Sequence, residues 1–274
     1  MDFVKLARSV EKEIIATRRD IHAHPEMAFE EERTARLVEK RLRSFGIKTR
    51  RMAGTGVAGY LDVGCAGKTI ALRADIDALP IVEETRLPYA SKNQYMHACG
   101  HDAHTAILLG VAKVLAAHKN ELSGSIRFIF QPSEEFPPGG AKGMVAEGVM
   151  KGIDEVYGLH VLSKVKSGFL VADAGPIMAN VDDVTVTIKG RGAHGATPQF
   201  SIDPVLTASE AIVALQQIVS RNVDPMESAV ISICMINAGR GYNIIPEACQ
   251  FRGTVRTFSK ALRNNMPRMI KRVV

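Results

Sequence analysis

The most constraining feature of this chain is the order in which two kinds of apolar periodicity alternate between residues 68 and 161. "KTIALRAD" sets Ile70 and Leu72 opposite Ala71 and Arg73, a two-residue repeat that predicts a strand. "HDAHTAILLGVAKVLAAHK" then returns apolar residues at three and four (Ile107, Leu108, Val111, Val114, Leu115), the spacing of a helix against a core. "GSIRFIFQP" predicts a second strand with Ile126, Phe128 and Phe130 on one face, "GGAKGMVAEGVM" a short helix, and "DEVYGLHV" a third strand. Strand, helix, strand, helix, strand at this spacing implies parallel pairing, so the fold class is α/β with a mostly parallel sheet.

The flanks divide the chain. At the N-terminus Phe3, Leu6, Val10 and Ile14 form one helical stripe, Pro25 interrupts it, and a second helix is predicted from near Glu30 to Gly46. Beyond "GPIMAN" the texture changes. "DDVTVTIKGRG" alternates strictly, "DPVLTASEAIVALQQIVSRN" is a long helix, "SAVISICMI" and "EACQFRGTVRTF" are strands, and "SKALRNNMPRMIKRVV" is a helix capped by Ser259 that has to accommodate Pro267. That order describes a small α+β domain with one covered sheet face, so residues 1–178 and 179–274 are expected to be separate domains.

Composition narrows the function. The net charge of +6 does not form a basic stripe, and with 5% aromatic residues and no Trp the chain lacks the stacking platform of a nucleic-acid binder. No apolar run approaches a membrane span, and the charged N-terminus lacks a secretory core; a cytoplasmic enzyme without nucleic-acid or membrane partners is the expectation. The four cysteines share no paired spacing and are expected to be reduced, with Cys65, Cys234 and Cys249 as small core residues.

In an α/β sheet the loops after parallel strands form the ligand crevice. Here those loops carry Asp75 and Asp77, then Glu134 and Glu135, then His160, while Cys99, His101, Asp102 and His104 open the first crossover helix. Thiol, imidazole and carboxylate together suit Zn²⁺ or another borderline divalent ion. Each residue taken alone has a plainer reading: Asp75 as a turn residue, the two glutamates as a solvated pair, His160 as a strand histidine. Cys99 also fits a nucleophile with a histidine base. Asp77 suits a carboxylate that accepts the second ring N–H of a metal-bound histidine.

The segments "RRDIHAHPEMAFEE", "LRADIDALPIVEET", "MHACGHDAHT", "FQPSEE", "GLHV", "VSRNVDP", "YNIIPE" and "GTVRTF" occur in an order that resembles the M20 metallopeptidase family of amidohydrolases. The subgroup is that of hippurate hydrolase, N-acyl-amino-acid deacylases and auxin-conjugate hydrolases. The resemblance implies a zinc-peptidase-like catalytic domain with a smaller α+β lid and dimerisation domain. It implies two divalent metal ions (Zn, Mn, Co or Ni) held by Cys99, His101, Glu135 and His160, with Glu134 as general base. It places His194 at the oxyanion, Asn243 and Arg256 at the substrate, and a small N-acyl amino acid in the site of a homodimer. It also implies a last ligating histidine nearer the C-terminus, and no histidine follows His194. The expectation is therefore a truncated and poorly active amidohydrolase, with a Cys99-nucleophile hydrolase and a non-catalytic dimerising homologue as the alternatives.

Overall fold

The computed structural model describes residues 2–64 and 66–274, so the expectation for Cys65 lies outside the described residues. The chain divides into two compact units, Met1–Ser167 and Gly168–Val274; the sequence reading drew its line at 178/179, in the same stretch between the last strand of one unit and the first of the other.

The first unit opens with α1 (Phe3–His22) and α2 (Glu32–Ser44), followed by β1 (Lys48–Met52), β2 (Gly56–Asp62) and β3 (Thr69–Asp75). Then come α3 (His101–Ala117), β4 (Ser125–Gln131), α4 (Gly140–Ala146) and β5 (Glu155–Gly158). The five strands form one sheet in the order β1-β2-β4-β3-β5. β3 pairs parallel with both β4 and β5, as the crossover helices require, whereas β1, β2 and β4 pair antiparallel. The sheet is thus mixed, and its antiparallel half is the hairpin β1–β2, which the periodicity did not reveal. β4 shows the division of faces. Ile126, Phe128 and Phe130 pack with Val38 and Leu42 of α2 and Leu108, Leu109 and Ala112 of α3, while Ile129 joins Met144 and Val149 at α4. α1 lies close on α3 because Gly110 offers no side chain; a Cβ there would stand 2.5 Å from Ile14 Cδ1. The stripe of α1 runs through Val10, Thr17 and Ile21, leaving Phe3 exposed.

The second unit contains β6 (Asn180–Lys189), β7 (Ala193–His194), α5 (Pro204–Gln217), β8 (Ala229–Ala238), β9 (Ile244–Ile245), β10 (Ala248–Thr257) and α6 (Lys260–Lys271). Its sheet, β6-β10-β8, is antiparallel throughout, and β7 pairs with β9 as a separate ribbon. Phe251, Val255 and Cys249 of β10 pack with Ala208, Ala211 and Leu215 of α5 and Leu262, Met266 and Ile270 of α6. Pro267 sits inside α6 on its exposed side. Burial of the Leu262, Met266 and Ile270 stripe, roughly 1.5–3 kcal/mol for each side chain, outweighs the ~3 kcal/mol cost of an interior proline.

Cys249 is buried as expected, but Cys234 is exposed. It falls at a β-bulge, where Arg252 pairs with Met235 and Gly253 with Ile233, in the second half of β8, whose ladder residues Met235 and Ile236 are exposed as well. Among the described residues no helix is long and apolar enough to cross a membrane.

Candidate active site

The C-terminal ends of β3, β4 and β5 deliver the polar groups of the first unit. After β3 the chain loops to α3, and Gly100 turns it into the helix with a left-handed φ of 88°. A Cβ at Gly100 would lie 2.3 Å from Val161 Cγ2, so the position excludes side chains on two grounds. That turn places Cys99 before the helix and His101 as its first residue, with His101 fully buried.

His101 is held by Asp77. Its Nδ1 donates to Asp77 Oδ1 at 3.0 Å, and the other oxygen of Asp77 accepts the backbone N–H of Glu135 at 3.0 Å. One carboxylate therefore orients an imidazole from α3 and fixes the loop after β4. His101 Nε2 is left facing Glu135 Oε1 at 3.8 Å and Asp75 Oδ2 at 3.6 Å. Neither His101 Nε2 nor Glu135 Oε1 has a hydrogen-bond partner among the described residues, although both are buried. Cys99 Sγ lies 3.5 Å from His160 Nε2. The donor atoms of Cys99, His101 and His160 lie within 4.8 Å of one another, as do those of His101, Glu134 and Glu135.

His104 and Asp75 complete the surround. His104 Nδ1 donates to Asp75 Oδ1 at 2.6 Å, and its Nε2 accepts the backbone N–H of Val161 at 2.9 Å. Both ring nitrogens are thereby used, which makes His104 a brace for the backbone beside His160. Asp75 also accepts from Arg73 Nη1 at 2.8 Å. Burial alone would raise its pKa, but the His104 hydrogen bond and the Arg73 and His101 charges hold its carboxyl well below the usual range. Asp75 is thus far more than a turn residue.

The charges are unbalanced in a way that a cation corrects. Burial, the adjacent Glu135 carboxylate and the charges of Asp75 and Glu134 push the Cys99 thiol up to about 12. Loss of hydration, then the Glu135 and Asp75 charges, raise Glu134 above the ordinary glutamate range. For His101 burial opposes charging, while the Asp77 hydrogen bond and the surrounding carboxylates raise its pKa. A thiol, imidazoles and carboxylates with unpartnered donor atoms converging on one space fit a borderline divalent ion. A neutral thiol, conversely, is a poor nucleophile, which disfavours the Cys99-nucleophile reading.

The two glutamates have different settings. Glu135 is half-buried and tethered through its N–H to Asp77, whereas Glu134 is accessible. The turn that presents them begins at Ser133, with a φ of 45°. Ser133 is buried; its N–H is taken at 2.8 Å by Glu31, whose other carboxylate oxygen accepts from the Thr55 hydroxyl. The sequence reading missed Glu31. The segment "PEMAFEE" carried part of the family resemblance, but nothing local connects it to a turn a hundred residues away.

In the second unit, His194 of β7 pairs with Ile244 of β9, and the N–H of Gly195 donates to the Asn243 carbonyl at 2.7 Å. The ribbon thus brings His194 and Asn243 side by side, both exposed. Arg256 is not with them. It lies near the far end of the ten-residue β10, roughly 25 Å along the strand from its start beside β9. Its Nη1 is engaged by Thr254 Oγ1 and by the Val255 carbonyl at 3.1 Å.

Residues 71–239 match the model of peptidase family M20/M25/M40. The chain is 44% identical over 272 residues to an N-acyl-L-amino acid amidohydrolase of Geobacillus stearothermophilus, covering 98% of this chain and 74% of that protein. It is 47% identical over 260 residues to an N-acetyl-L-cysteine deacetylase of Bacillus subtilis (strain 168), covering 94% of this chain and 62% of the relative. The fold is similar to the crystal structure of the Bacillus subtilis YXEP protein, described as a dinuclear metal binding peptidase of the M20 family, with a TM-score of 0.81 and 38% identity. That likeness covers 97% of this chain and 69% of the other. On the family match and these identities, the chain belongs to peptidase family M20.

Proposed function

We propose that this chain carries the catalytic machinery of a metal-dependent amidohydrolase acting on N-acyl amino acids. The observation that carries the reading is the pair of buried, unpartnered atoms His101 Nε2 and Glu135 Oε1 facing each other at 3.8 Å, beside a Cys99–His160 contact of 3.5 Å. Cys99, His101, Glu135 and His160 would hold up to two ions among Zn²⁺, Mn²⁺, Co²⁺ and Ni²⁺. When bound, such ions polarise an amide carbonyl and acidify water.

The chain's own residues then divide the work. Asp77 keeps His101 in the tautomer whose Nε2 has its lone pair free, and anchors Glu135 beside it. Glu134, accessible and with a raised pKa, is suited to take a proton from the attacking water and to return it to the departing amine. The tethering of Glu135 and the freedom of Glu134 explain how adjacent identical side chains serve different ends. In the second unit the proposed roles are His194 at the oxyanion and Asn243 toward the substrate in one place, and Arg256, roughly 25 Å away along β10, toward the substrate in another; in the proposed homodimer these are two sites.

The substrate class rests on the relatives' names, N-acyl-L-amino acid amidohydrolase and N-acetyl-L-cysteine deacetylase. A homodimer through the second unit belongs to the same proposal: β6 and β8 are the edges of their sheet, and Leu206 and Val213 of α5 are 60% and 68% exposed. Sedimentation as a single species of monomer mass would overturn that part.

The deciding assay follows amine release from N-acetylcysteine and hippurate by the 274-residue chain after chelation and after return of Mn²⁺ or Zn²⁺. Release that disappears with the chelator and returns with the ion supports the proposal. Activity indifferent to chelation, or absent with every ion, overturns it for this chain.

A further inference from the structure

Behind the candidate site lies a second buried polar cluster, built from α1, the loop between β3 and α3, and the first turn of α3. His22, at the end of α1, is 3% exposed and places its two ring nitrogens against two carboxylates. Nδ1 lies 2.8 Å from Asp102 Oδ2, and Nε2 lies 3.1 Å from Glu83 Oε1. A neutral imidazole has one N–H, so only the imidazolium donates to both. The Asp102 hydrogen bond, resisted by burial and aided by Glu83, raises the His22 pKa accordingly. One helical turn earlier, Arg18 Nε meets the same Asp102 oxygen at 2.6 Å. Glu83 in turn accepts the backbone N–H of Ser91 at 2.7 Å and the Thr85 hydroxyl, so it gathers its own loop. Tyr89 of that loop lies edge-on to His22, with ring centroids 5.7 Å apart, and beneath the Arg19 guanidinium at 4.9 Å.

The location of this cluster in the chain gives it a purpose. Asp102 follows the ligand candidate His101 directly, and His97 precedes Cys99 by two residues. His97 is 4% exposed, its ring centroid is 6.5 Å from that of His22, and neither of its nitrogens has a partner among the described residues. The segment "HACGHD" therefore has both its ends in the second cluster and its middle, Cys99 to His101, at the metal site.

We propose that Arg18, His22 and Glu83 are positioning residues for the ligand segment 99–101, clasping it from behind so that Cys99 and His101 meet Glu135 and His160 in register. They touch neither substrate nor ion and act through Asp102 and the loop that Glu83 gathers. The inference rests on the metal-site reading above.

The test is Mn²⁺ and Zn²⁺ affinity by chelator competition, with metal-free thermal stability measured alongside, for the full chain and its His22→Gln and Glu83→Gln variants. Glu13→Gln, which disturbs only the α1 surface pairs with Arg41 and Lys113, is the control. The expected result is folded variants whose metal affinity falls about tenfold or more, the range for lost outer partners of metal ligands, while the control binds as the parent does. Variants that lose thermal stability but bind metal within twofold of the parent overturn the proposal. So does failure of both to fold, which would assign the cluster to the fold alone. A parent chain that binds neither ion overturns the metal site itself, and that outcome is distinct because it needs no variant.

Discussion

His101 gives its Nδ1 hydrogen to Asp77, whose Oδ1 and main-chain carbonyl both lie at 3.0 Å, and this pairing decides which face of the imidazole remains open. With Nδ1 protonated, Nε2 is the basic nitrogen, and it is the one aimed at Glu135. Asp77→Asn keeps the shape but its side chain can accept only through one oxygen, so either the Glu135 N–H loses its partner or His101 is left with the Asp77 main-chain carbonyl alone, which also lies 3.0 Å from Nδ1. Metal affinity is expected to fall about 10–100-fold. Chelator competition measures it, and unchanged affinity would remove Asp77 from the supporting structure.

Glu134 and Glu135 separate chemistry from binding. Glu134→Gln is expected to lower kcat roughly 10²–10⁴-fold with metal content unchanged, the usual scale for loss of a general base. Glu135→Gln is expected to lower metal content itself. Elemental analysis of the purified variants distinguishes the two, and equal metal loss in both would contradict the division of roles.

Gly100→Ala tests the turn into α3. The left-handed backbone costs a non-glycine residue roughly 1–2 kcal/mol. The 2.3 Å approach to Val161 adds an overpacking cost of about 1–3 kcal/mol. Gly46→Ala is the comparison, since Gly46 has a φ of 78° with nothing within 4 Å of a Cβ; it should show the first cost alone. Urea unfolding of both variants checks the difference.

Thiol reactivity reports the electrostatics. With its thiol pushed up to about 12, Cys99 in the metal-free chain should resist iodoacetamide at neutral pH, whereas the exposed Cys234 should react readily. Peptide mapping after partial alkylation gives the order. The sign for stability follows: a thiol whose folded pKa is raised favours the fold less as pH climbs past ~8.5, where the unfolded thiol ionises. The metal-free chain should therefore lose stability above that point.

His22 has the same sign in a lower pH window. Its pKa is raised by Asp102, so its stabilising effect is complete below the ordinary value of ~6.5 and is lost as pH rises through the folded value. The stability gap between the metal-free parent and His22→Gln should narrow with increasing pH. Asp102, Glu83, Arg18 and His97 face the ring; none of the carboxylates among them titrates in that window, because Asp102 and Glu83 are both shifted below their usual values.

What was legible in the sequence follows the physics of each element. β3, β4 and α3 were readable because their apolar residues repeat with the period of the structure they form. β1 and β2 were not. "KTRRM" is an edge strand with two arginines, and "GVAGYLD" holds Gly56 and Gly59, of which Gly59 lies under α2, where a Cβ would meet Leu42 Cδ1 at 3.0 Å. A close approach of helix to strand erases the alternation that announces a strand. Candidate site residues were legible where they follow a parallel strand, as Asp77, Glu135 and His160 do. Glu31 and the His22 cluster were not, because Ser133 lies 102 residues from Glu31, and Glu83 and Asp102 lie 61 and 80 residues from His22, with no shared local pattern. The position of Arg256 apart from Asn243 illustrates the same limit, since neighbourhood in a motif list says nothing about the length of an intervening strand.

The parallel pairing of β3 with β5 also sets the order of events in time. Cys99 stands before α3 and His101 opens it, Glu135 follows β4, and His160 follows β5, so the four donors converge only after both crossovers have closed and β5 has docked beside β3. Those are long-range contacts, formed late because loop closure precedes their reward. With the proposed ligand set, metal capture is expected as a finishing step that seals an assembled sheet, the reverse of a zinc finger, where the ion comes first and the fold gathers around it.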